Sequence, residues 1–216
     1  MNILELELLS DDLAGTERFY KRVLGLDAQW SGKDYITFHI GYTRLIYYKS
    51  EKIKPVYHFA IDIPNNRFNE AYSLVKEKVP LIVMDDGLDV ADFINWEAKS
   101  FYFYDNNNNI LELITRYPNK SDSKEDFSQK SLLSISEIGL VTNDVPNLAN
   151  TFLKQFGVPV FHRQPRADHF TVSGDDEGLF IIAAKGRDWY PTKIKAESFR
   201  TRILFYEKGS VYNIVR

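Results

Sequence analysis

The chain reads as an α+β protein made of three βαβββ copies followed by a closing hairpin. Three observations predict this. Short runs alternate apolar and polar residues with period two, as half-buried strands do. Three longer segments carry apolar residues at helical spacing. The order strand, helix, strands then recurs along the chain, which marks a repeated unit.

In the first copy Leu4 to Leu8 alternates, with Leu4, Leu6 and Leu8 on one face and Glu5 and Glu7 on the other. Asp11-Asp12 offers an N-cap. Leu13, Thr16, Tyr20, Val23 and Leu24 mark a helix face, and Gly25 closes it. Ala28 to Trp30, Tyr35 to Ile40 and Thr43 to Tyr48 are the remaining strands. The second copy opens with Val56 to Asp62. Its helix carries Phe68, Ala71, Tyr72, Val75 and Val79, and its later strands are Leu81 to Met84, Phe101 to Tyr104 and Ile110 to Thr115. The third copy opens at Leu133 to Val141, runs a helix through Leu148, Phe152 and Phe156 to Gly157, and adds Phe170 to Val172 and Leu179 to Ala184. Arg202 to Tyr206 and Val211 to Val215 flank Lys208-Gly209 as a hairpin. Pro118 to Ser131 is polar and reads as a linker. The expected organisation is a unit over 1–117, a linker over 118–131 and a third module with the hairpin over 132–216.

Composition narrows the function. With 44% hydrophobic and 14% aromatic residues, 216 residues can bury a core. Lys and Arg total 27 against 30 Asp and Glu, so no basic footprint for nucleic acid exists. The absence of Cys excludes disulfides, thiolate metal sites and a Cys nucleophile. Glu5 and Glu7 interrupt the apolar stretch a signal peptide needs, and no run approaches a membrane span, so a cytoplasmic protein with no membrane partner is expected.

These elements, with these residues, resemble the vicinal-oxygen-chelate superfamily of glyoxalase I, bleomycin-resistance proteins, fosfomycin-resistance transferases and extradiol dioxygenases. The resemblance rests on Asp12-Leu13, Phe19-Tyr20 and Leu24-Gly25, on Tyr57 to Asp62, and above all on Ser100 to Asp105 with Asn109 to Leu113. Asn replaces the family's Pro and Gly in the turn at Asp105 to Asn109, a mild departure because Asn also tolerates positive φ. The resemblance covers residues 1–117 well and 131–190 loosely.

It implies that two modules form a half-open β-barrel, with metal ligands on the first and last strands of each. On that alignment Glu5, His58 and Glu112 fall in ligand slots, while the fourth slot falls on Ile46, which binds nothing. Parity agrees: each of the three lies on the strand face opposite a good apolar face. One imidazole and two carboxylates suit Zn²⁺, Mn²⁺, Fe²⁺ or Ni²⁺ with positions open to substrate. Glu7 and His39 are candidate catalytic bases.

In the third copy Glu137 occupies the first-strand slot, but the last falls on Ile182, so no second ligand is expected there. His162 and His169 read as loop, and Gly174 to Gly178 as a hairpin turn. Gly186 to Pro191 reads as a loop anchored by Trp189 and Tyr190, with an anion grip by Arg187 as the sharper alternative.

The expected function is a glyoxalase-like, metal-dependent lyase or isomerase acting on a small oxygenated or thiol-conjugated substrate. The alternatives are a metal-free drug-binding protein of bleomycin-resistance type and, behind it, an extradiol dioxygenase, disfavoured because only one slot carries His. A homodimer is one way to complete the barrel.

Overall fold

The computed structural model describes all 216 residues. In chain order, the first module comprises β1 (Asn2–Ser10), α1 (Leu13–Leu24), β2 (Trp30–Ser31), β3 (Tyr35–Ile40) and β4 (Thr43–Lys49). The second comprises β5 (His58–Asp62), α2 (Phe68–Lys76), β6 (Ala91–Phe93), β7 (Ala98–Tyr104) and β8 (Ile110–Arg116). The third comprises β9 (Ser134–Thr142), α3 (Val145–Phe156), β10 (Phe170–Asp175) and β11 (Gly178–Ala184), and β12 (Arg202–Glu207) with β13 (Ser210–Val215) form the hairpin. None of these helices is long and apolar enough to cross a membrane.

The caps read from the sequence are in place. Asp12 accepts a hydrogen bond from the Gly15 amide at 2.8 Å, and Asp144 does the same for Asn147 at 3.0 Å. Gly25 and Gly157, both at φ 71°, end α1 and α3 in the left-handed conformation that glycine adopts without strain.

Two mixed sheets result. One has the order β13-β12-β1-β4-β3-β2 and the other β10-β11-β9-β5-β8-β7-β6. The half-barrel that carries His58 therefore joins the second module to the third, through the antiparallel pair β5–β9. The first module instead pairs β1 with β12 of the hairpin. The family resemblance implies a barrel shared by the first and second modules, and the strand pairing differs. The connection over 118–131 is long enough to bring β9 beside β5, and strand pairing uses backbone groups that carry no side-chain signature.

Both sheets turn their apolar faces inward. Leu6, Leu8, Phe38, Phe59, Ile61, Phe101, Leu111, Ile138, Phe180 and Phe205 join α1, α2 and α3 in one continuous core. Leu4 departs from the expected parity. An irregularity between Ile3 and Glu5 in the pairing with β12 places Ile3 in the core and leaves Leu4 partly exposed. Leu81 to Met84 is not a strand. Only Leu81 bridges to Phe103, and the strand beside β7 is β6.

The second sheet's other face is covered by the segments around 159–169 and 185–200. Phe161, Trp189 and Ala196 pack there with Tyr102, Ile110, Leu179 and Ile181 in a smaller cluster. That cover creates the site.

Candidate metal centre

The concave face of the second sheet is set by strand parity. Phe59 and Ile61 face the core, so His58, Ala60 and Asp62 face the cleft. On β8, Leu111 and Leu113 face the core, so Glu112 and Arg116 face the cleft. On β9, Ile138 and Leu140 face the core and Glu137 lies opposite. Register brings them together: Ala60 pairs with both Glu112 and Glu137, which thus flank the same point of β5 from either side.

The ligand atoms of His58, Glu112 and Glu137 lie within 4.8 Å of one another, and all three residues are buried. His58 Nε2 is 3.6 Å from Glu112 Oε2. Two ligands each about 2.1 Å from a first-row ion at the tetrahedral angle would be about 3.4 Å apart, so this spacing is near that of a bound pair. The carbonyl of Ile110 stands 3.1 Å from His58 Nδ1. A hydrogen on Nδ1 donated to that carbonyl leaves Nε2 with its lone pair toward Glu112, the arrangement a metal-ligating imidazole uses. Burial lowers the His58 pKa, which favours that neutral form.

Charge tests the fit. Arg116 is fully buried, donates from Nε to Asp62 at 3.3 Å and from Nη2 to Glu137, and leaves Nη1 without a partner. Burial opposes its charge, but Glu137 and Asp62 overcome this and raise its pKa. Ser136 donates to Asp62 at 2.5 Å. Ionised, the carboxyls of Asp62, Glu112 and Glu137 carry three negative charges against one on Arg116. The protein answers by burial and by Glu137 repulsion, which push the Glu112 pKa well up. A divalent cation would cancel the two excess charges, so the donor set fits one.

The remaining slots follow the pseudo-repeat. Glu137 stands to β9 as His58 stands to β5. In β8 Glu112 pairs with Ala60, two beyond His58, and in β11 the equivalent partner of Gly139 is Ile181. Ile181, not Ile182, is the cleft-facing residue, while Ile182 is in the core. Gly139 is required here because the indole of Trp189 lies over it: a Cβ would meet the ring at 2.6 Å.

Glu5, Glu7 and His39 are elsewhere, on the first sheet. Glu5 accepts hydrogen bonds from Arg44 and Arg202, and Glu7 accepts from Arg202 Nη1 at 2.6 Å with Arg200 3.7 Å away. His39 is exposed and pairs in register with Arg44. None of the three lines the cleft. The guanidinium of Arg202 already answers the two first-sheet glutamates. The sequence reading thus brought out His58 and Glu112 but missed Glu137 as their companion, and it missed Arg116. The signals were present: Glu137 lies on the face of β9 opposite the apolar Ile138 and Leu140, and Arg116 lies on the face of Glu112 four residues on.

The trio opens into a cavity of about 230 Å³ walled by Phe93, Trp96, Tyr102, Phe170, Trp189 and Tyr190. Tyr102 pairs directly with Glu112 across β7–β8, and burial together with the Glu112 charge raises its pKa, so its phenol keeps its proton.

No sequence-family model and no curated protein matches the chain. Solved structures do. A candidate dioxygenase from Bacillus subtilis superposes at TM-score 0.60 with 13% identity, over 85% of this chain and 63% of its own, so this chain spans just under two thirds of that protein. A variant of glyoxalase I from Zea mays superposes at TM-score 0.58 with 13% identity, over 90% of this chain and 70% of its own. The shorter lactoylglutathione lyase from Agrobacterium tumefaciens matches 52% of this chain and 92% of its own, at 20% identity and TM-score 0.44. Repeated β-α-β modules, the second and third paired first strand to first strand, together with the superpositions on the Bacillus subtilis and Zea mays proteins over most of this chain, give this protein the vicinal-oxygen-chelate fold.

Proposed function

We propose that the protein is a metal-dependent enzyme of the glyoxalase-like kind, a lyase or isomerase acting on a small oxygenated substrate, with His58, Glu112 and Glu137 holding the ion. The observation that carries this is the buried charge imbalance: three carboxyls and one guanidinium around an imidazole whose Nδ1 faces the Ile110 carbonyl. A cavity of about 230 Å³ is below the ~300–1,000 Å³ usual for drug-sized ligands, which favours a small substrate over a bulky thiol conjugate.

A divalent ion held there would polarise a substrate oxygen and acidify a neighbouring C–H or water. The residues of the chain supply the rest. Arg116 fixes the Glu137 carboxylate from behind. Ile110 fixes the His58 ring. The protonated phenol of Tyr102 sits where it can donate to a substrate oxygen. Trp96, Trp189 and Tyr190 exclude water, which strengthens every charge interaction inside. Glu7 and His39 have no part in this chemistry.

The test is elemental analysis of protein purified without chelator. Near-stoichiometric Mn, Zn, Fe or Ni is expected, with loss in His58→Ala at an unchanged circular dichroism spectrum. No metal in the wild type, even after incubation with each ion, would contradict the reading and leave a metal-free ligand-binding protein.

A further inference from the structure

One charged group on the cavity wall takes no part in the ion site. Arg187 lines both the cavity of His58, Glu112 and Glu137 and the adjoining outer groove of Asp85, Asp86, Asp188 and Lys193. Its guanidinium makes no ion pair. Its one hydrogen bond is from Nη1 to the Asp188 carbonyl at 3.1 Å, and its Cζ lies over the Phe170 ring, 4.5 Å from the ring centre. Of the neighbouring carboxylates, Asp188 pairs with Lys195 at 2.6 Å and Asp85 with Lys193 at 2.9 Å, while Asp86 in the outer groove accepts the Leu88 amide at 3.0 Å. Trp189, which also lines this cavity, has a buried Nε1 without a hydrogen-bond partner. An arginine set over an aromatic ring, with most of its donors free, is preorganised for a planar anion.

Charge chooses the anion. The ion site balances to zero with a divalent cation, so Arg187 leaves the cavity one positive charge in excess. A monoanion cancels it, while a dianion buried at a single guanidinium would leave one uncompensated negative charge.

We infer that Arg187 is the specificity-determining residue of this site, and that the substrate carries a carboxylate separate from the oxygen presented to the ion. This rests on the proposed metal site. The loop holding Arg187 is tied by backbone bonds, Gly186 N–H to the Ala196 carbonyl at 2.8 Å and Ala196 N–H to the Arg187 carbonyl at 2.7 Å, so its side chain can be changed without releasing it.

The test uses catechol and 3,4-dihydroxybenzoate, which share a vicinal-oxygen pair and differ by one carboxylate, titrated calorimetrically into the Mn²⁺-loaded protein. The carboxylate is expected to tighten binding about 10- to 100-fold, the range for a charge-assisted pair. Arg187→Met removes that advantage and leaves catechol and Mn²⁺ binding unchanged, and Arg187→Lys restores part of it. Equal binding of the two probes by the wild type, or tighter binding of 3,4-dihydroxyphenylphosphonate than of the benzoate, overturns the inference. If Mn²⁺ alone does not bind, the metal reading fails by itself. The carboxylate subsite is then read on the metal-free protein from benzoate against benzyl alcohol, where a preference lost in Arg187→Met supports it and no preference overturns it.

Discussion

At Gly139 a missing side chain shapes the site, because Trp189 lies over the space a Cβ would fill, 2.6 Å from the ring. The indole is rigid and packed against Phe161, Tyr102 and Ile181, so it cannot yield by a small rotation. Gly139→Ala is expected to destabilise by about 1–3 kcal/mol, the usual cost of overpacking, and to shift tryptophan emission to the red as Trp189 is pushed toward solvent. Unchanged stability and emission would mean that the loop is not seated on β9.

A second residue-scale prediction concerns Asp105. It is buried and holds the turn to Asn109, accepting from the Asn107 and Asn109 amides at 2.8 and 2.9 Å. Burial dominates and raises its pKa to about 6. The folded state therefore binds this proton more tightly than the unfolded chain. The stabilising contribution is full below about pH 4 and is lost as the pH rises through about 6. Two pH units correspond to about 3 kcal/mol. In urea melts, the stability difference between wild type and Asp105→Asn should change by up to that amount between pH 4 and pH 7, moving against the wild type. A difference that stays constant with pH would contradict the shift. Sequence read this residue only as a turn former. Its titration depends on long-range burial against Tyr20 and Tyr47, which no local pattern records.

At the scale of elements, parity was the most legible feature, because one buried face imposes a period of two on every strand. Leu6 illustrates it: Leu6→Ala should cost about 2–5 kcal/mol, and a loss below about 1 kcal/mol would invert the assignment of β1. Parity cannot reveal an irregularity such as the one that puts Ile3 rather than Leu4 in the core, since that depends on the pairing with β12. Nor could it show Ala91–Phe93 as the edge strand in place of Leu81 to Met84, because three residues carry too little pattern. Glu5 and Glu7 show a further limit. A carboxylate on a polar strand face reads the same whether it awaits an ion or already meets Arg202.

For the whole molecule, the two sheets and three helices share one apolar core, so the chain should unfold as a unit. An ion bound by the folded state at about 100 times its Kd adds about 2.7 kcal/mol, which for a domain of this size is about 5–11 °C in Tm. Calorimetry with and without Mn²⁺ should show one transition, moved upward. Two transitions, of which only one moves, would mean that the half-barrels are energetically separate. The choice of partners between modules was the least legible level. Each first strand offers a similar edge, and the connection at 118–131 permits β9 to reach β5. The copy that looked incomplete, with Glu137 and no last-strand partner for it, is the one that sets Glu137 beside His58 and Glu112.

That pairing decides the ligand set, and Mn²⁺ titration of three proteins tests it most directly: the wild type, Glu137→Gln and Glu5→Gln, with free ion counted by its paramagnetic resonance. Glu137→Gln should bind at least about tenfold more weakly, while Glu5→Gln should bind as the wild type does and lose only stability as Arg202 and Arg44 give up a partner. Binding lost in Glu5→Gln and kept in Glu137→Gln would contradict the account and return the ion to the first module.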